Sequence, residues 1–197
     1  FVTFSDIYDG EVQKYLAPRG EWKSASAVDA PGKLTERYSP CVRVMERLKV
    51  REVIHTPAGE TVLDFGQEVT GFVTFRVRGE KGRKYFLQYG EILQEGCFYN
   101  DNLRSAKAEY TCITDGRDQW VRPYFTFYGF RYMEILVEKE TVIYKVRGQV
   151  VTSALEDTGI LVTSDAAVNR LIANARWGMY SNYLAVPTDC PQRDERM

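Results

Sequence analysis

The sequence predicts a mainly β protein, an antiparallel β-sandwich of jelly-roll-like character followed by one amphipathic helix. Two observations carry that expectation. Between Thr61 and Thr152, short apolar segments alternate with period two and are separated by Gly-bearing turns, the pattern of half-buried strands stacked as two sheets. Near Ser164 the apolar period changes from two to that of a helix.

Taken in order, residues 1–39 are broken by Gly10, Pro18, Gly20, Pro31 and Gly32. They read as a linker or the end of a preceding domain, without a core element. Residues 40–153 read as the sandwich. Its first segment carries Val42, Val44, Met45, Leu48, Val50, Val53 and Ile54 at irregular intervals. Residues 61–65 form a short apolar strand closed by Gly66. From Gly71 to Arg78, Val73, Phe75 and Val77 share one face, and from Lys84 to Tyr89 the same holds for Tyr85, Leu87 and Tyr89. Gly79 and Gly82 between them suggest a hairpin-like loop. Asp115-Gly116 suggests a second strand-turn-strand unit, joining 109–114 to 119–122. Residues 130–138, with Met133, Ile135 and Val137 facing one way, and the β-branched run 141–152 complete the set.

Residues 154–197 read as the start of a second domain. Ser164-Asp165 is a helix start, with Ser able to accept a free first-turn N–H. Val168, Leu171, Ile172, Ala175 and Met179 then fall at helical spacing, and Tyr183 extends the stripe over about twenty residues before Pro187 ends it. An apolar stripe on one helix implies partner helices, so a larger helical domain is expected.

The net charge of −1 argues against nucleic acid as the main partner, because a basic patch is the usual footprint. No run reaches the length needed to cross a bilayer, so no membrane partner is expected. Cys41, Cys97, Cys112 and Cys190 form no Cys-x-x-Cys pair, and His55 is the lone histidine. A zinc site is therefore not expected. Thirteen Tyr, ten Phe and three Trp suit both sugar-handling proteins and ordinary β cores. Trp177 and the cluster Tyr124, Phe125, Phe127, Tyr128, Phe130 and Tyr132 read first as core or domain interface.

The chemistry concentrates at the end of the chain. Between Asp189 and Arg196, three carboxylates (Asp189, Asp194, Glu195) and two arginines (Arg193, Arg196) occupy eight positions. Glycoside hydrolysis needs two carboxyls, one to protonate the leaving oxygen and one to activate water or attack carbon. A general acid must keep its proton near neutral pH, and Asp194 beside Glu195 supplies the like charge that raises a carboxyl, whereas Arg193 and Arg196 oppose it. The same residues also read as solvated loop charges paired with their neighbours. Cys190 has no nearby His to activate it and reads as structural.

Thr188-Asp189-Cys190-Pro191-Gln192-Arg193-Asp194-Glu195-Arg196 resembles the central motif of bacterial α-L-rhamnosidases, glycoside hydrolase family 78. Asn174-Ala175-Arg176-Trp177-Gly178, Asn182-Tyr183-Leu184 and Val186-Pro187 are similar to the helix leading into it. Asp64-Phe65-Gly66-Gln67 with Gly71, and Gly129-Phe130-Arg131-Tyr132, are similar to the family's sandwich, and Asp9-Gly10-Glu11 to the end of a preceding lectin-like domain. The resemblance implies that Glu195 is the general acid, that Asp189 binds rhamnose hydroxyls and that Arg193 lines the same pocket. It implies inversion of configuration, with the base further along an (α/α)6 barrel of which this chain holds the first helix, and no cofactor. The substrate class is a rhamnose-containing carbohydrate, and the chain by itself is expected to be nearly inactive. Tyr128 stands where His is expected, Glu68 stands where Asn is common, and the Gly-Trp-Thr-Gly-Asp continuation is absent. Two other readings stay open. One is a non-catalytic carbohydrate-binding or interdomain sandwich module, and the other is a related (α/α)6 hydrolase acting on another sugar.

Overall fold

The computed structural model describes residues 2–6, 10–15, 23–29, 32–137, 141–188, 190 and 192. Among the described residues, twelve strands precede the helix. They are β1 (Val2–Asp6), β2 (Gly10–Lys14), β3 (Val42–Lys49), β4 (Glu52–His55), β5 (Thr61–Arg78), β6 (Lys84–Gly90), β7 (Ile92–Gln94), β8 (Cys97–Tyr99), β9 (Glu109–Ile113), β10 (Gln119–Val121), β11 (Tyr128–Val137) and β12 (Val142–Ser153). Ten of them form one curled sheet, and β7 and β8 make a separate hairpin.

The 18-residue β5 organises this sheet. Thr61–Asp64 pairs with β4 and β11, whereas Gly71–Arg78 pairs with β12, and Phe75–Val77 also pairs with β10. The strand thus leaves one layer and enters the other. Gly66 was expected to close a short strand. It instead sits inside β5 at φ +77, where Asp64 Oδ1 accepts its N–H at 2.6 Å, a bend that glycine adopts without a steric cost. The layers meet through the alternating faces expected from sequence. Val73, Phe75 and Val77 are fully buried, as are Tyr85, Leu87 and Tyr89. Phe75 meets Tyr110 edge-to-face at 6.1 Å across the core. Burying Phe75 stabilises the fold by roughly 1.5–3 kcal/mol.

Both suspected hairpins are arches between layers. β6 pairs with β11 and β9, not with β5. β9 pairs with β6 and β2, whereas β10 pairs with β5. Period-two alternation shows which side chains face the core but not which strand lies alongside.

The expectation that residues 1–39 carry no core element fails for Gly10–Tyr15. β2 runs parallel to β9, and Glu11 and Gln13 are buried. The Glu11 carboxylate accepts the backbone N–H groups of Tyr124 (2.9 Å) and Phe125 (2.8 Å) and a bond from the Gln13 amide. Gln13 in turn donates to the Arg122 carbonyl and accepts from the Tyr15 and Tyr110 hydroxyls. These buried polar groups are therefore satisfied by one another.

Gly71 marks the close approach of β5 to β12, since an added Cβ would overlap the Gln149 carbonyl oxygen. Gly71→Ala is expected to destabilise the chain by about 3 kcal/mol through overpacking against backbone. Chemical denaturation checks this, and a shift of the midpoint below experimental error would refute the close-approach account.

The helix α1 (Ala166–Asn182) is capped by Asp165, not Ser164. The Asp165 carboxylate accepts from the N–H groups of Ala167 (2.7 Å) and Val168 (3.2 Å). No helical residue is fully buried, and the expected stripe is open, with Leu171 67% and Met179 56% exposed. Contact with the sandwich core comes from Trp177 instead. Tyr124 and Phe125 are exposed, whereas Tyr128, Phe130 and Tyr132 are buried, so the aromatic cluster divides between surface and core. His55 is exposed at the end of β4.

Candidate functional site

The sequence motifs meet at one end of the sandwich, beside α1. In β5, Asp64 is buried and pairs bidentately with Arg131 of β11, Nε to Oδ1 at 2.9 Å and Nη2 to Oδ2 at 2.8 Å. Phe65 and Phe130 meet edge-to-face at 5.5 Å. The Asp-Phe-Gly-Gln and Gly-Phe-Arg-Tyr segments are thus one unit, locked by charge and by ring packing. Burial alone would raise the Asp64 carboxyl. The Arg131 hydrogen bonds, the Gly66 N–H and the charges of Arg131 and Arg51 outweigh it and hold the group below its ordinary value.

The segment leaving α1 is tied to this unit by polar clamps. Thr70 Oγ1 donates to the Ser181 carbonyl at 2.7 Å, and Thr152 Oγ1 to that of Tyr183 at 3.1 Å. Tyr183–Leu184 (β13) and Val186–Pro187 (β14) then form a tight turn through Ala185 at φ +73. A left-handed alanine costs roughly 1–2 kcal/mol, and the Ala185 N–H bond to Ser153 Oγ at 2.8 Å helps to hold it there. Thr188 closes back on Asn182 through backbone and side chain. Past this point Gln192 lies against Gly129, where an added Cβ would come within 2.6 Å of Gln192 Cβ. The Gly of Gly-Phe-Arg-Tyr therefore makes room for Gln192.

Asp189, Arg193 and Glu195 lie outside the described residues. Their neighbours Thr188, Cys190 and Gln192 are described, and all three are half-buried.

Between sheet and helix lies a cavity of about 420 Å³, walled by Glu68, Glu91 and Arg131 on the sandwich side and by Arg170, Asn174 and Trp177 on the helix. Glu68 is the site residue that sequence reasoning undervalued. It registers there only as a departure from Asn. Burial, with the Glu91 carboxylate adding and Arg131 opposing, pushes its carboxyl up to about 9. A neutral Glu68 at physiological pH presents a donor and an acceptor, as an amide does. A proton held more tightly in the folded chain gives stability that is complete below the ordinary value of 4.5 and is lost as pH rises toward 9. Glu68→Gln is accordingly expected to stabilise the chain by about 2 kcal/mol at pH 8 and by little at pH 4. Denaturant midpoints across that range check it, and equal effects at both pH values would contradict a raised carboxyl. Among the described residues there is no cluster of three or more metal-binding side chains.

Comparison with known proteins agrees with this assembly. The family model described as the bacterial alpha-L-rhamnosidase concanavalin-like domain matches residues 54–153, and that of the bacterial alpha-L-rhamnosidase 6 hairpin glycosidase domain matches residues 156–197. An alpha-L-rhamnosidase of Streptomyces avermitilis is 36% identical over 172 residues, covering 86% of this chain and 17% of the relative. One from Formosa agariphila is 31% identical over 214 residues, covering 100% of this chain and 23% of the relative. Among solved structures, native α-L-rhamnosidase from Aspergillus terreus superposes with a TM-score of 0.83 at 33% identity, over 98% of this chain and 24% of that one. Streptomyces avermitilis α-L-rhamnosidase complexed with L-rhamnose does so with a TM-score of 0.83 at 32% identity, over 98% and 20%. The chain thus spans about a fifth of the length of the curated relatives it matches. With just over half of its residues matched by one family model, and with its two sandwich motifs locked together beside the helix exit, the chain belongs to the bacterial α-L-rhamnosidase family.

Proposed function

We propose that the protein to which this chain belongs hydrolyses terminal α-L-rhamnosyl bonds of glycosides or polysaccharides with inversion of configuration. One observation carries the reading. The Asp64–Arg131 pair joins β5 to β11, Thr70 of β5 holds the exit of α1, and Gln192 lies against Gly129 of β11, so the same two strands hold all three at one rim. Glu195 serves as general acid, passing its proton to the glycosidic oxygen as the bond to the anomeric carbon breaks. Asp189 accepts hydrogen bonds from rhamnose hydroxyls, and Arg193 lines the same pocket. Water attacks from the opposite face, activated by a second carboxylate roughly 6.5–9.5 Å away in the rest of the helical domain. No cofactor enters this chemistry.

The reading divides the chain into residues 40–153 as sandwich and 154–197 as the start of the catalytic (α/α)6 barrel, with 1–39 as linker or the end of a preceding domain except for β2, which is joined to the sandwich sheet through β9. The exposed apolar residues of α1, Val168, Leu171 and Met179, support it, since a helix with such a stripe stabilises itself by packing on further helices. The partner of this chain is accordingly the remainder of the barrel.

The test is hydrolysis of a chromogenic α-L-rhamnoside by the full-length protein, with the product followed by proton NMR. The β-anomer is expected to appear first, and the 197-residue chain alone is expected to show no comparable turnover. Initial release of the α-anomer, or equal turnover by the chain alone, would overturn the assignment.

A further inference from the structure

The outer face of the sheet, away from the rim, carries a second cleft of about 640 Å³, lined by Glu60, Lys84, Phe86, Glu134 and Leu136. Its floor is Glu134. Register places Glu134 opposite Val62 and Gln88, and Leu136 opposite Phe86, so these side chains share the outer face. Glu134 is 7% exposed, yet among the described residues its carboxylate has no hydrogen-bond or ion-pair partner. Its oxygens reach solvent in the cleft, where a bound molecule can donate to them. Burial, with the charge of Glu60 adding, raises its affinity for a proton.

The surroundings narrow what can satisfy it. Glu60 is already engaged, accepting from Thr56 Oγ1 at 2.6 Å and from the Phe98 N–H at 3.0 Å. One free carboxylate is too few for a hard divalent cation, which takes six or more oxygens. An anion would meet two negative groups. The Lys84 ammonium sits over the Phe86 ring, 5.1 Å from its centroid, and supplies donors, while the 41% exposed Leu136 and the remaining surface of Phe86 supply apolar contact. One acceptor, one donor and an apolar surface between them match a molecule whose hydroxyls both give and take hydrogen bonds and whose C–H face is apolar.

We infer that this outer-face cleft binds a neutral saccharide through Glu134, Lys84 and Phe86, independently of hydrolysis at the rim. Hydroxyls donate to Glu134 and accept from Lys84, and a ring face lies along Phe86 and Leu136.

The experiment uses full-length protein carrying Glu195→Gln, so that nothing is hydrolysed. It is titrated by calorimetry with a panel of neutral tetrasaccharides of the gluco, xylo, manno, galacto and rhamno series. At least one member is expected to bind, with affinity falling at least fivefold in Phe86→Ala and in Glu134→Leu. Hydrolytic activity, measured in the same variants without the Glu195 change, is expected to stay within twofold. Should Glu134→Leu not fold, Phe86→Ala alone decides. Binding by no member of the panel, or binding unaffected by Phe86→Ala, overturns the inference without touching the rhamnosidase reading, which depends on turnover.

Discussion

Glu195→Gln in the full-length protein is expected to lower kcat on an alkyl rhamnoside by roughly 10²–10⁴-fold, the usual contribution of a positioned general acid. Three further readouts separate loss of the acid from general damage. Rhamnose binding is expected to change by less than twofold, because Gln keeps the side-chain shape. A rhamnoside with an acidic phenol as leaving group is expected to recover most of the lost rate, since that oxygen departs without a proton. The alkaline limb of the pH–rate profile, which reports deprotonation of the acid, is expected to disappear. Asp194→Asn makes the contrast. If Glu195 is the acid proposed, removing the neighbouring charge is expected to shift that limb to lower pH, because a like charge raises a carboxyl, while activity at its optimum persists. A full-length Glu195→Gln protein with ordinary turnover of alkyl rhamnosides would sink the role assigned to this residue.

Asp64→Ala is expected to destabilise the chain by about 3 kcal/mol, because removing one member of a largely buried ion pair strands the other. The Asp64 side chain is 7% exposed and that of Arg131 is 36% exposed, which places the effect at the lower end for buried pairs. Arg131→Lys is expected to recover only part, since a single ammonium cannot reproduce the two-pronged contact. The effect also depends on pH. With its folded value depressed, Asp64 contributes stability above its unfolded value near 3.9, and that contribution is lost as pH falls through the folded value. Glu68 slopes the opposite way between 4.5 and about 9. The two together place maximal stability on the mildly acidic side of neutrality, and Asp64→Ala is expected to remove the acid-side slope while Glu68→Gln flattens the other. Guanidinium melts of the two variants across pH 3–9 test this pair of slopes, and identical profiles would show that neither carboxyl is shifted. Because Arg131 also walls the cavity beside α1, Asp64→Ala in the full-length protein is expected to reduce turnover through displacement of the rim.

Much of this protein is legible along the chain. Val73, Phe75 and Val77, and Tyr85, Leu87 and Tyr89, declare their strand and their buried face, because period-two alternation is a property of neighbouring residues. The change of period after Ser164 announces a helix, and the Asp-Phe-Gly-Gln, Gly-Phe-Arg-Tyr and charged end motifs announce the family. What the chain by itself does not encode in adjacent positions is who meets whom. Gly66 looks like the end of a strand but is a bend inside one that serves both layers, and the Gly79–Gly82 and Asp115-Gly116 turns join strands that never pair. Glu11 and Gln13 look like linker polarity until Tyr124, Phe125 and Arg122 arrive more than a hundred residues later to satisfy them. The α1 stripe marks its apolar residues correctly, yet Trp177 makes the contact with the sandwich, since helix rotation is set by the surface it meets. Glu68 looks like a minor substitution until Glu91, Arg131 and Arg170 close around it. Backbone periodicity and turn chemistry are local and so belong to the sequence. Layer pairing, the environment of a buried charge and the orientation of a helix are sums over contacts distant in the chain, and only the tertiary structure evaluates them.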